Sequence, residues 1–276
     1  MTRQLFFKLM LRSAYFTVGM IAVWMCLNTF ISGSFWDGMT LSKSAINVEY
    51  CEFNNVEKLF HQSMNTYSNL AYFFLGVLIL LIASEDYKNR DLSTLNRLER
   101  FPLLSVLMGI CFIYLSFGSA FFHASLTWVG QRMDMNGTYS ISIALLSIAL
   151  YHVLHKLNLT NREKQVWIAV SGVLVLAFFK VHLMISSGVL LPALILANLI
   201  LTLIHYFQFR KEHSIFITIF SLVLMVVAVK IRTLDVQKVD CDPYSWYQGH
   251  SVWHLLTALS SFCSYAFFRF TTRKEN

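Results

Sequence analysis

The sequence predicts an all-α fold: an integral membrane helical bundle with a seven-helix core and one extra N-terminal transmembrane helix. Hydrophobic residues make up 56% of the chain and charged residues only 13%, whereas a soluble domain carries about 25% charged residues. Eight apolar runs each approach the roughly 20 residues that a helix needs to cross the hydrocarbon of a bilayer. Only helices satisfy the backbone in hydrocarbon without closing a barrel.

The first apolar run, over residues 13–31, follows three basic residues and has two interpretations. The small residues Ser32, Gly33 and Ser34 would suit the cleavage of a secretory signal. The run is, however, longer than the apolar region of about 7–15 residues in an ordinary signal peptide. The sequence therefore favours an uncleaved signal-anchor helix within residues 1–32.

A polar, irregular segment over residues 33–63 separates this helix from seven further apolar runs. These runs lie at 64–83, 102–122, 134–154, 166–186, 189–208, 214–231 and 250–269. Pro102 falls in the first turn of its run, where a missing N–H costs least. We therefore predict an extracytoplasmic loop at 33–63, a seven-helix core at 64–270 and a cytoplasmic tail at 271–276.

The distribution of Lys and Arg predicts the orientation of the helices. With the N-terminus in the cytoplasm, 15 of the 22 Lys and Arg residues lie in inner segments. Cytoplasmic loops of membrane proteins carry such an excess, so we expect both termini to be cytoplasmic. The same loops account for the net charge of +7. No basic run interleaved with aromatic residues favours a nucleic acid as a partner.

Four polar residues collect at the outer ends of three predicted helices. His123 lies at the end of the third run, Asp134 begins the fourth, and His250 and His254 begin the last. Ionisable groups at membrane depth are costly and by default indicate function. The topology places all four at one depth, towards the extracytoplasmic or lumenal side.

The spacing of these residues predicts a zinc site. His250 and His254 are four residues apart and share one face of a helix, while Ser119 lies one turn from His123. Three imidazoles with an open fourth position are typical of catalytic zinc, whose bound water has a pKa near 7. The same His-x-x-x-His spacing occurs in zinc proteases, but Ser251 replaces their adjacent glutamate base.

The roles of the two remaining polar residues stay open at this point. Asp134 is the nearest candidate carboxylate for a general base, and it could instead fix the tautomer of a histidine. A direct bond from Asp134 to zinc would favour a structural site. The Ser119 hydroxyl could donate to the oxyanion of a tetrahedral intermediate.

These motifs resemble those of the alkaline ceramidase family. That family belongs to a superfamily of seven-helix membrane zinc hydrolases, which includes the adiponectin/progestin receptors and lipid-remodelling proteins. Glu-Tyr-Cys-Glu-Phe-Asn at 49–54 and Asn-Thr-Tyr-Ser-Asn at 65–69 also resemble the segment before and into the family's first helix. The resemblance covers roughly residues 49–270 and leaves the N-terminal helix as an addition.

The resemblance implies an enzyme that hydrolyses the amide of a ceramide-like lipid to a sphingoid base and a fatty acid. His123, His250 and His254 would hold zinc, Asp134 would take the proton of a water molecule, and Ser119 would stabilise the oxyanion. One rival is a related hydrolase of another acyl lipid, such as an N-acyl amino lipid or a glycerolipid ester. Another is a receptor-like heptahelical protein with a structural zinc.

The resemblance also implies a calcium ion in the acidic N-terminal loop, where oxygen-rich ligation suits calcium. The corresponding ligands are Glu49, the Tyr50 carbonyl, Glu52, Asn54 and Gln62. Gln62 stands where the family has a glutamate, Glu49 is longer than the usual aspartate, and the loop is one residue shorter. The alternative is a solvated acidic loop.

Finally, the resemblance implies a disulfide between Cys51 and Cys241, which fall in the two long outer loops. Such a bond persists outside the cytoplasm. The other three cysteines lie in apolar runs and are expected to act as small hydrophobic residues.

Overall fold

A computed structural model describes residues 1–89, 96–210 and 214–270. Within these ranges the regular structure is helical, and β-pairing is limited to two isolated bridges. The prediction of an all-α helical bundle is therefore confirmed. The predicted tail at 271–276 lies outside the described residues.

Every predicted apolar run coincides with a long helix. The helices are α1 (Arg3–Phe30), α2 (Lys43–Ile46), α3 (Ser63–Ser68), α4 (Leu70–Lys88), α5 (Pro102–Ser125), α6 (Trp128–Val153), α7 (Asn161–Met184), α8 (Ser187–Gln208), α9 (Phe216–Val236) and α10 (Gly249–Arg269). The helix of the run 64–83 is divided into α3 and α4, and the loop at 33–63 contains the short helix α2 and a 3-10 helix at Gly33–Trp36. Among the described residues, six helical stretches are long and apolar enough to cross a membrane. These are α1, α3 with α4, α5, α7, α8 and α9. The two other long helices, α6 and α10, have no stretch that is apolar enough to be counted with these six, and they carry Asp134, His250 and His254.

The core of the bundle lies around α5, which packs between α4 and α6. Its buried face includes Leu104, Met108 and Phe112, whose side chains are fully enclosed. The helices α1, α7, α8 and α9 expose many large apolar side chains instead. Such surfaces suit contact with lipid hydrocarbon, so the burial pattern agrees with a multi-pass membrane protein.

The α5–α6 hairpin is tight because glycines allow the two helices to approach closely. A Cβ atom at Gly137 would lie 2.8 Å from the Cα atom of Leu115, and one at Gly130 would lie 2.8 Å from the Cα atom of Phe122. Leu126 ends α5 with a positive φ of 52°, and Thr127 caps α6 by accepting a hydrogen bond from the backbone N–H of Gly130. The hairpin thus places the end of α5 beside the start of α6.

Both ends of α10 are fixed by buried acidic residues. At its first turn, Asp235 accepts hydrogen bonds from the backbone N–H groups of His250 and Cys51, each at 3.2 Å. At its last turn, buried Arg269 pairs with both carboxylate oxygens of Asp86 and with Glu99 at 2.7 Å. A buried guanidinium requires such partners because an unpaired buried charge is very costly.

The predicted disulfide is also present and lies close to the first turn of α10. Cys51 and Cys241 are bonded, with 5.7 Å between their Cα atoms. The bond joins the loop before α3 to the loop before α10, so it connects two segments that are 190 residues apart in sequence. The disulfide predicted from the resemblance is therefore confirmed.

The segment that follows α1 contacts the α5–α6 turn. The backbone N–H of Ser42 donates to the carbonyl of Leu126 at 2.9 Å, and that of Trp128 donates to the carbonyl of Thr40 at 2.8 Å. The side chain of Asn28, near the end of α1, accepts from the backbone N–H of Phe60 at 2.9 Å. The N-terminal helix is thus attached to the core through its C-terminal end as well as through α4.

The close contact at Gly137 leads to a stability prediction. We expect Gly137→Ala to lower the melting temperature of the purified protein, because overpacking against the α5 backbone costs about 1–3 kcal/mol. Gly172→Ala is the matched control, since no heavy atom lies within 4 Å of its added Cβ atom. That control should be neutral or slightly stabilising, because alanine has the higher helix propensity. Equal melting temperatures for the two variants would contradict the close approach of α5 and α6.

Candidate metal centre

Three histidines from two helices meet at one end of the bundle. His123 lies in the last turn of α5, and His250 and His254 lie in the first two turns of α10. All three are buried, and one ligand nitrogen from each lies within 4.8 Å of the others. The Nε2 atoms of His123 and His250 are 3.2 Å apart. The structure therefore brings together the three histidines that the spacing predicted as ligands.

Two of these rings are oriented by side chains from α3 or its N-cap. The Nδ1 atom of His123 lies 2.7 Å from Oε1 of Gln62, and the Nδ1 atom of His254 lies 2.7 Å from Oγ of Ser68. Each neutral imidazole has one N–H and one lone pair, so a donating Nδ1 leaves the Nε2 lone pair for a metal. These contacts orient the ligand rings of a metal site.

The third ring is held by packing and by its backbone. His250 stacks on the ring of Tyr50 with centroids 3.9 Å apart, and Asp235 fixes its backbone N–H. Its Nδ1 atom is buried and has no hydrogen-bond partner among the described residues. Burial raises the pKa of the Tyr50 phenol well above its ordinary value, so this hydroxyl stays protonated.

The donor set fits a metal ion such as zinc. Three convergent imidazole nitrogens are the protein ligands of many catalytic zinc sites. The Nε2 atoms of His123 and His250 face each other in a buried space. Without a cation, these two atoms would have to share one proton, or their lone pairs would repel each other. Because a metal ion would satisfy all three lone pairs, the described side chains suit metal binding.

Asp134 and Ser119 line a cavity that begins at these histidines. Ser119 lies one turn before His123 on α5, and Asp134 lies in the second turn of α6. The buried Ser119 hydroxyl lies close enough to the Asp134 carboxylate to donate a hydrogen bond to it. Asp134 is only half-buried because it faces the cavity. The structure thus places both predicted residues at the candidate site.

The cavity has a volume of about 410 Å³ and lies between α6, α8, α9 and α10. Its lining extends along α10 from His250 to Phe268, which corresponds to roughly 27 Å of helix. Its wall combines aliphatic side chains with twelve serine and threonine hydroxyls, which come from α5, α6, α8, α9 and α10. The helix α8 packs mainly on α6, whereas α9 packs mainly on α10. The helices α8 and α9 therefore make few contacts with each other, and the cavity lies between them.

Four of the five predicted calcium ligands, Glu49, Glu52, Asn54 and Gln62, have side chains that contact other protein groups. Glu49 forms an ion pair with Arg232 at 3.1 Å and accepts from the Ser44 hydroxyl at 2.5 Å. The Asn54 side chain accepts from the Gln62 amide at 2.8 Å. Calcium binding in this loop stays a prediction, and it would require these contacts to be exchanged for metal ligation.

Glu52, another of these predicted ligands, caps the N-terminus of α3. Its carboxylate accepts from the backbone N–H groups of Met64 at 2.6 Å and Asn65 at 2.8 Å. Burial raises the pKa of Glu52 to about 7, although the two hydrogen bonds oppose this shift. The cap matters for the site because α3 and its N-cap supply both Gln62 and Ser68.

The sequence interpretation missed the contribution of α3 to the metal centre. Gln62, Asn65 and Ser68 are spaced three residues apart, which places them on one face of a short helix. The sequence interpretation assigns Gln62 only to the calcium loop. The regular spacing of polar residues before an apolar run was the available signal. The stacking of Tyr50 on His250 had no comparable pattern in the sequence.

The fold and the site together define the class: a multi-pass helical membrane protein with a buried candidate metal centre at one end of an internal cavity. The chain belongs to the ceramidase family, because the family model described as Ceramidase matches residues 42–276. The comparisons with curated proteins and with solved structures each found no match. Family membership indicates a ceramide-hydrolysing activity in general. The match begins after α1, as the resemblance implied.

The raised pKa of Glu52 leads to a prediction of pH-dependent stability. Because its folded-state pKa of about 7 exceeds its ordinary value of 4.5, this group's contribution to stability is greatest below about pH 4.5 and is lost as the pH rises through 7. Glu52→Gln removes the titrating carboxyl group. At every pH it also replaces one of the two oxygens that accept from the α3 backbone with an amide NH₂ group. The free energy of unfolding should therefore fall less steeply with pH in the variant than in the wild type. Parallel pH profiles would contradict this assignment.

Proposed function

We propose that the protein is a zinc-dependent lipid amide hydrolase of the alkaline ceramidase type. It would cleave ceramide-like N-acyl lipids to a sphingoid base and a fatty acid. The observation that supports this most directly is the convergence of three buried histidines at a cavity that also contains Asp134 and Ser119. Membership of the ceramidase family supplies the class of substrate.

The proposed metal ligands are the Nε2 atoms of His123 and His254, together with a ring nitrogen of His250. The hydrogen bonds to Gln62 and Ser68 support this choice of atoms, because they occupy the opposite nitrogen of two rings. A zinc ion held there supplies Lewis acidity and lowers the pKa of a bound water to near 7. Burial of all three histidines keeps bulk water from competing at this site.

Asp134 is the proposed general base. Its carboxylate faces the same cavity as His250 and His254, so it can accept the proton of the attacking water and later deliver it to the leaving amine. The alternative is that Asp134 only orients the groups around the metal.

Ser119 is the proposed donor to the developing oxyanion. Its hydroxyl is buried in the cavity wall one turn from His123, close enough to the Asp134 carboxylate to donate to it. A hydroxyl in a site shielded from water can instead donate to the charge that appears on the carbonyl oxygen. The proposed donor and the proposed base therefore lie side by side.

The cavity supports a lipid substrate with a long hydrocarbon chain. Its polar end contains the histidines and Asp134, and its remaining length offers aliphatic side chains from α6, α8 and α9. An acyl chain placed along this length would hold the amide at the polar end. The loose packing between α8 and α9 offers a route from the bilayer. An N-acyl amino lipid or a glycerolipid ester would be the alternative substrates.

The disulfide supports the proposed orientation. Cys51 and Cys241 lie at the same end of the bundle as the histidines, and structural disulfides persist outside the cytoplasm. This end would therefore face the extracytoplasmic or lumenal side, with both termini in the cytoplasm. In this arrangement residues 64–270 form the catalytic core, residues 1–32 an added anchor helix and residues 33–63 an outer loop that could hold calcium.

Removal of a proposed ligand tests the metal dependence. We expect His250→Ala to lose the stoichiometric zinc of the wild type and to lose fatty-acid release from a short-chain ceramide. His155→Ala is the control, because this half-buried histidine lies at the opposite end of α6, where its Nδ1 atom contacts only a backbone oxygen. The control should keep both zinc and activity. Full activity of His250→Ala would overturn the proposed function.

Replacement of the proposed base separates catalysis from metal binding. If Asp134 is the base, Asp134→Asn should keep zinc and lower kcat by a factor of about 10²–10⁴, with a small change in KM. A role in orienting the metal site would instead weaken zinc binding in proportion to the activity that is lost. Zinc content and steady-state kinetics on the same preparation distinguish the two outcomes.

A further inference from the structure

Gln62 connects the outer loop to the candidate metal centre. Its side chain is 3% exposed, and its Oε1 atom lies 2.7 Å from Nδ1 of His123. Its backbone N–H also donates to the carbonyl of His123 at 3.0 Å. The same residue therefore fixes both the main chain and the ring of one proposed ligand.

The chemistry of a ligand histidine requires an acceptor at this position. If the Nε2 atom of His123 carries the lone pair for a metal, the ring proton lies on Nδ1. The amide oxygen of Gln62 accepts that proton, whereas its NH₂ group would meet the Nδ1–H as a second donor. The direction of the Gln62 amide therefore decides whether the ring can present Nε2 to a metal.

Two neighbouring amides hold Gln62 in the required direction. Its Nε2 atom donates to Oδ1 of Asn54 at 2.8 Å, and its Oε1 atom accepts a second hydrogen bond from Nδ2 of Asn65 at 3.2 Å. Turning the Gln62 amide alone would place oxygen against oxygen at Asn54, which is half-buried and can turn its own amide, and nitrogen against nitrogen at Asn65. Since Asn65 is fully buried, water cannot compensate for the unfavourable contact there.

We propose that Gln62 is a positioning residue, held by Asn54 and Asn65, which sets the tautomer and orientation of His123 for metal binding. The inference rests on the proposed function, because it assumes that His123 is a metal ligand. It gives Asn54 and Gln62 a role that does not require a calcium ion. Partners of this kind change metal affinity by about 10–100-fold when they are removed.

Zinc affinity of the purified protein, measured by competition with a chelator, tests this inference without an activity assay. Gln62→Met has nearly the same length but no acceptor, and it should weaken zinc binding about 10–100-fold. Gln62→Glu keeps an acceptor oxygen, and Asn54 can turn its own amide to donate to it. This variant should bind zinc within a few-fold of the wild type.

Asn136→Leu controls for the general loss of a buried amide. Asn136 is buried on α6, and its side chain donates to the carbonyl of Val175 at 3.0 Å instead of contacting a histidine ring. The zinc affinity of Asn136→Leu should equal that of the wild type, even if the melting temperature of this variant is lower. If Gln62→Met does not fold, Gln62→Asn provides the same comparison, because the shorter amide withdraws the oxygen from His123.

The outcomes separate this inference from the proposed function. If Gln62→Met, or Gln62→Asn in its place, binds zinc as tightly as the wild type, the positioning role is overturned. The proposal of a zinc enzyme is unaffected by that result. Weak binding in both Gln62→Met and Gln62→Glu would also overturn the positioning role, since an acceptor alone would then not suffice. Absence of zinc from the wild type would overturn both proposals.

Discussion

Three imidazoles converge in a buried space at one end of the bundle, where water cannot satisfy their ring nitrogens. Such an arrangement is unfavourable unless each nitrogen has a partner. Gln62 and Ser68 occupy one nitrogen each on His123 and His254, and the remaining lone pairs face the centre of the cluster. A metal ion would complete this set, so the demands of the imidazoles explain much of the surrounding structure.

The bundle holds the two contributing helices at the same depth. The glycine-assisted hairpin places the end of α5 against the start of α6, and thus His123 near Asp134. Asp235 and the Cys51–Cys241 bond fix the start of α10, while Arg269 fixes its end. The residues around His250 are therefore restrained from several directions, as preorganised catalytic groups require.

The sequence predicts the helices and the His250/His254 pair because both depend on local patterns, while the predicted topology and the resemblance add His123 to that pair. Apolar runs of membrane-spanning length and the four-residue spacing of His250 and His254 are visible without any tertiary contact. The contact of Gln62 with His123 is of a different kind, because the two residues are 61 positions apart and meet only when the loop folds against α5. The stacking of Tyr50 on His250 depends on the same packing, so no local pattern predicts it.

The coordination of zinc in the purified protein tests the central claim most directly. X-ray absorption at the zinc edge should show three imidazole nitrogens at about 2.0–2.1 Å and one oxygen from water. This shell should be unchanged in Asp134→Ala, because the proposed base does not bind the metal. Loss of the oxygen in that variant, or absence of zinc from the wild type, would contradict a catalytic metal centre at these histidines.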